Sequence, residues 1–206
     1  MIFEQEDFKV FDEQTLDGRM QGIRSVIDPK FEQLAKVILP LLSEDGQAWY
    51  AHIAKHLRRT TNPPENTWVA FAPNKRGYKM MPHYEVGMWD DHVYIYLAVE
   101  ENMKPASTQK IVAQMTKARE LVAQLPATFT LSQDHMVNKT EPLTLTHYDL
   151  AVQKFAETKH SEVLIGLQIM KSDYETLSFE DTNHIMATFK ALRATVSYTH
   201  LTLPTT

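Results

Sequence analysis

The chain has 206 residues, 43% of them hydrophobic and 23% charged, the balance of a globular protein with a core of its own. It has no cysteine, which excludes a disulfide scaffold, a thiol nucleophile and any thiolate-bound zinc. The net charge of −5 is unevenly spread: from Lys55 to Lys79 six cations face Glu65 alone, a local +5, so the remainder sums to −10. A basic island on an acidic chain points to an anionic ligand, and a solvated lysine-rich face is the competing reading.

The opening stretch, MIFEQEDFKVFDEQ, lacks the basic-then-apolar layout of a signal peptide, and the longest aliphatic run, Val37 to Leu42, is too short to span a bilayer. The expectation is a soluble cytoplasmic protein with no membrane partner. LDGRMQGIRSVI reads as a helix, and Asp28-Pro29 as the N-cap and first position of a second one. Phe31, Leu34, Ala35 and Ile38 recur at helical spacing until Pro40 disturbs the pattern. AWYAHIAKHLRR predicts a further helix, with Tyr50, Ile53, Ala54 and Leu57 on one side and His52, Lys55, His56 and Arg59 on the other. Asn62-Pro63-Pro64 ends it.

Thr67 to Ala72, TWVAFA, is a short strand, and PNKRGY is a turn. PHYEVGMWDDHVYIY then predicts a hairpin: strand His83–Trp89, turn Asp90-Asp91, strand His92–Val99. STQKIVAQMTKARELVAQL is a helix with Ser107 at its N-cap and Ile111, Met115, Val122 and Leu125 on one side. TFTLSQ and SEVLIGLQIM read as strands flanking a helix over HYDLAVQKFAET. A last helix starts at Ser178, with Asp181 three residues on, and buries Ile185, Phe189 and Leu192. This irregular alternation argues for α+β: a single domain over residues 1–195, an antiparallel sheet with helices packed mainly on one face. A doubly wound sheet is disfavoured, because no strand–Gly-rich turn–helix unit is present. VSYTHLTLPTT, Val196 to Thr206, has no helical period and looks like translated sequencing adapter, so residues 196–206 are set apart as a non-native tail.

Period two divides the hairpin into an apolar set and a polar-aromatic one holding His83, Glu85, Trp89, His92, Tyr94 and Tyr96. A two-residue turn sets Trp89 opposite His92, Gly87 opposite Tyr94 and Glu85 opposite Tyr96. His92 is then roughly 13 Å along the strands from Glu85, at ~3.4 Å per residue, so His83, Glu85 and His92 do not close on one metal ion. No metal and no cofactor is expected. His83 and Glu85, about 7 Å apart on one face, are candidates for acid–base catalysis, against a structural pair tying the sheet surface together. Gly-x-Ser-x-Gly elbows and phosphate loops are absent. Arg58, Arg59, Lys75 and Arg76 could hold an anionic group while Trp89 and Tyr94 stack on a ring. Stacking beside basic flanks also serves nucleic-acid binders, although no RNP or KH signature is present.

The stretch Ala54 to Val99 carries Lys-His-x-Arg-Arg, Asn-Pro-Pro, Thr-Trp-Val-Ala-Phe, Lys-Arg-Gly-Tyr-Lys, Pro-His and Trp-x-x-His in that order. It strongly resembles the YktB-like family of uncharacterised bacterial proteins, found mainly in Bacillota, and the resemblance extends from about Phe8 to Thr195. The resemblance implies a compact α+β domain and supplies no catalytic assignment. Together these observations predict binding of a small anionic or nucleotide-like ligand. The alternatives are an enzyme using His83 and Glu85, or a protein–protein module whose basic island meets an acidic partner.

Overall fold

The computed structural model describes residues 1–176 and 178–196; the expectation of a non-native tail concerns positions that, past Val196, lie outside the described residues. Seven strands follow the sheet order β1-β2-β3-β4-β7-β5-β6, with β1 Tyr50–Ile53, β2 Thr67–Ala72, β3 His83–Met88, β4 His92–Val99, β5 Thr130–Ser132, β6 Glu141–Pro142 and β7 Val163–Met170. The helices are α1 Leu16–Gly22, α2 Asp28–Leu42, α3 Thr108–Val122, α4 Leu145–Glu157 and α5 Asp181–Val196. The class is α+β with an antiparallel sheet, as expected. No described helix is long and apolar enough to cross a membrane.

The described chain gathers into two compact units: Met1–Tyr78 with Tyr84–Ile95 and Gln168–Met186, and Lys79–His83 with Tyr96–Leu167 and the segment from Ala187. In the first unit α1 runs through a π-helical turn, Ile23–Ile27, straight into α2. Asp28 is therefore inside a continuous helix, with its N–H bonded to the Ile23 carbonyl, and does not cap one. Pro40 is accommodated within α2, whose buried face of Phe31, Leu34, Ile38, Leu41 and Leu42 continues past it. Phe3 meets Phe31 edge-on at 5.8 Å, and Phe8 meets Tyr174 at 5.5 Å, so the N-terminal segment closes this core.

The helix expected over AWYAHIAKHLRR is replaced by β1, which pairs antiparallel with β2 in the register Tyr50↔Ala72 and Ile53↔Val69. Ladder bonds to β2 outweigh a helical stripe that four apolar residues produce by coincidence. After Ile53 the chain turns, with His56 in left-handed conformation (φ 50°) and the Arg59 N–H bonded to the His56 carbonyl. In the second unit α3 and α4 pack together, burying Ile111, Met115 and Val122 against Tyr148, Val152 and Phe155. The Tyr148 hydroxyl donates to the Met115 carbonyl at 2.9 Å, and burial raises its pKa. Thr144 caps α4 by accepting from the His147 N–H. The short strands β1 and β6 were not expected, and α5 starts at Asp181, three residues later than predicted.

Candidate functional site

The hairpin forms in the expected register. The Trp89 N–H donates to the His92 carbonyl at 2.9 Å, and a Cβ placed on Gly87 would overlap the Tyr94 ring. Its polar-aromatic face is nonetheless closed: His83 and Glu85 are 0% exposed, Tyr94 1% and Trp89 7%. Neither Trp89 nor Tyr94 presents an open ring face for stacking. His92 is engaged on both nitrogens, at 2.6 Å from Asp91 Oδ1 and 2.8 Å from Gln168 Nε2. Burial lowers its pKa in spite of the Asp91 carboxylate. Glu85 lies on β3 opposite Ala70 of β2.

The basic island divides. Arg58, Lys75 and Arg76 are exposed, and the Arg76 N–H is tied to Asn74 Oδ1 in its turn. Arg59 instead lines a cleft of about 560 Å³ in the first unit together with Arg24 and Lys55. Leu16, Met20 and Leu57 supply apolar wall, and Asp17 is the acidic member of the lining. Among the described residues, neither Arg24, Lys55 nor Arg59 makes a side-chain ion pair or hydrogen bond. His56 borders the same cleft, its Nε2 3.1 Å from Thr67 Oγ1. Burial, with Arg59 beside it, pushes the His56 pKa down to about 4, so the ring is neutral at pH 7. Arg24 was not anticipated from sequence, although Asp17, Met20, Gln21 and Arg24 have the spacing of one helical face.

Within the second unit a different chemistry collects. Glu100, 0% exposed, follows directly on β4. Its Oε2 accepts from Lys79 Nζ at 3.2 Å and Asn102 Nδ2 at 2.8 Å, and its Oε1 faces His83 Nε2 at 3.4 Å. Burial alone would raise the Glu100 carboxyl, but the pairing with His83 and the His135 and Lys79 charges outweigh it and hold the pKa at about 2. Glu162, just ahead of β7, accepts at one oxygen from the His135 backbone N–H at 2.9 Å, and His135 Nδ1 lies 2.7 Å from that oxygen. Ligating atoms of Glu100, His135 and Glu162 all lie within 4.8 Å of one another. Sequence reasoning missed Glu100, His135 and Glu162, because the three are separated by dozens of residues and only sheet pairing assembles them.

These features define an α+β protein with a basic cleft in one unit and a buried histidine–carboxylate cluster in the other. The chain belongs to DUF1054, a domain of unknown function, which it matches over residues 3–196. It is 98% identical over 194 residues to a UPF0637 protein of Leuconostoc citreum, covering 94% of this chain and 97% of that one. A UPF0637 protein of Leuconostoc mesenteroides is 57% identical over 172 residues, covering 84% and 86% of the two chains. One from Listeria innocua is 39% identical over 173 residues, covering 83% of each. The expected membership among Bacillota proteins of unknown function is therefore correct.

Proposed function

We propose that the protein binds a small anionic ligand with an apolar or ring-bearing body, a nucleotide or phosphorylated metabolite, in the Arg24–Lys55–Arg59 cleft. The observation that carries this reading is the convergence of three cations, without internal ion-pair partners among the described residues, on about 560 Å³ of space. That volume is the size of a metabolite pocket, and Arg24 and Arg59 can each grip a phosphate or carboxylate bidentately. Leu16, Met20 and Leu57 replace Trp89 and Tyr94 as the surface for the ligand body, with Leu57 82% exposed at the cleft. His56 contributes a neutral imidazole at the margin.

Screening by thermal shift against nucleotides, sugar phosphates and short RNAs should find a stabilising anion. The double substitution Arg24→Ala/Arg59→Ala should weaken that ligand by about tenfold or more while moving the unliganded melting temperature by less than ~2 °C. Lys75→Ala/Arg76→Ala should bind as the unaltered protein does. Equal losses from both pairs would place binding elsewhere on the basic island, and unfolding of Arg24→Ala/Arg59→Ala would make those arginines structural.

A further inference from the structure

The cluster around Glu100 is built as an ion-binding site. We propose that Glu100, His135 and Glu162 bind one divalent transition-metal ion. The ligating atoms of the first three lie within 4.8 Å of one another, and bonds of ~2.1 Å need neighbouring ligands ~3–4 Å apart, a contraction that side-chain rotation supplies. Glu100 is fully buried and Glu162 is 5% exposed, so the arrangement is not a chance meeting of surface carboxylates.

The hydrogen bonding around Glu100 gives a second reason. His83 Nδ1 lies 2.8 Å from the Met81 carbonyl, which can only accept, so Nδ1 carries a proton and Nε2 faces outward. Nε2 then points at Glu100 Oε1 at 3.4 Å, and that buried oxygen accepts no hydrogen bond among the described residues. A buried carboxylate oxygen without a hydrogen bond is an acceptor that a cation can satisfy.

The surroundings suit a cation. Glu101, Gln133, Asp134, His135, His160 and Glu162 line a cleft of about 260 Å³, through which an ion would reach Glu162 and His135. Two positive groups oppose occupancy. Lys79 holds Glu100 Oε2 but is 44% exposed and can swing away. Lys104, whose pKa burial lowers, senses the Glu162 charge while bonded to Ser161 and the Thr158 carbonyl. Imidazole and carboxylate without sulfur favour zinc, manganese, iron(II) or cobalt over copper(I) and over calcium.

Full-length protein stripped with chelator, then titrated with zinc and with cobalt(II), tests this. The expected result is a single ion per chain, a rise in melting temperature with zinc, and a visible cobalt d–d band from nitrogen and oxygen ligands. Glu162→Gln and His135→Ala should each weaken binding by about tenfold or more. Lys79→Met should bind at least as tightly as the unaltered protein, and Arg24→Ala/Arg59→Ala unchanged, which separates this proposal from the anion cleft. Should the buried variants fail to fold, the cobalt spectrum and zinc shift of the unaltered protein decide alone. Folded protein that gives neither, or folded variants that bind zinc as tightly as the parent, would overturn the proposal.

Discussion

Gly87 shows how much a single position can enforce. It faces Tyr94 across the hairpin so closely that an added Cβ would overlap the ring and hydroxyl of a side chain that is 1% exposed. Gly87→Ala should therefore destabilise the protein by about 3 kcal/mol, at the upper end of the roughly 1–3 kcal/mol typical of overpacking, read as a fall in the urea midpoint. The register behind that contact was legible, because a two-residue turn leaves only one pairing. The closure of the face was not. Alternation assigns residues to sides of a strand but is silent on what covers each side, and so Trp89 and Tyr94 read as available rings.

At the scale of elements, Asp181 at the start of α5 fastens the N-terminal segment. Its two carboxylate oxygens accept the Ile2 N–H at 2.8 Å and the Phe3 N–H at 2.7 Å, all buried. Asp181→Ala would leave two buried donors unpaired and should cost roughly 2–5 kcal/mol, with Asp181→Asn between it and the parent. Arg19 does the same for the segment before α1: buried, it donates to the carbonyls of Phe11, Glu13 and Pro64. Arg19→Lys should fail to rescue stability in guanidinium denaturation, since an ammonium cannot span three carbonyls fixed for a planar fork. Neither role was readable in sequence, where Asp181 looked like part of a capping box and Arg19 was simply one residue of a helix. Helices with long apolar repeats were legible to within a few residues. Residues 48–59 were not, because a helical stripe and a short strand edge share the same few apolar residues, and only the partner strand decides.

For the whole molecule, the net charge of −5 resolves into a basic cleft in one unit and an acidic one in the other. Composition revealed the first as a local excess of cations but concealed the second, whose members are scattered along the chain. Burial also sets the pH response. His56, lowered from 6.5 to about 4, stabilises the fold fully above pH 6.5, and that contribution is lost as pH falls towards 4. Glu100, lowered from 4.5 to about 2, gives a contribution present above pH 4.5 and lost between there and 2. Asp28 runs the other way: burial raises it from 3.8 to about 6, so its contribution is complete below 3.8 and lost as pH rises through 6. Asp28→Asn should therefore raise the melting temperature at pH 7 by ~2–4 °C, a figure discounted for the half-exposed carboxyl, and give no gain at pH 4. An equal gain at both pH values would show that ionisation of Asp28 is not the cause.

The central claim is that an anion is held by Arg24, Lys55 and Arg59. Its most direct test is an amide-resolved NMR titration of the isotope-labelled protein with ADP and with inorganic pyrophosphate. Saturable shifts confined to α1, the π turn and the Ala54–Arg59 turn are predicted, with the His56 ring signals moving as well. Shifts centred on Lys75 and Arg76, or linear drift without saturation at any backbone site, would contradict it.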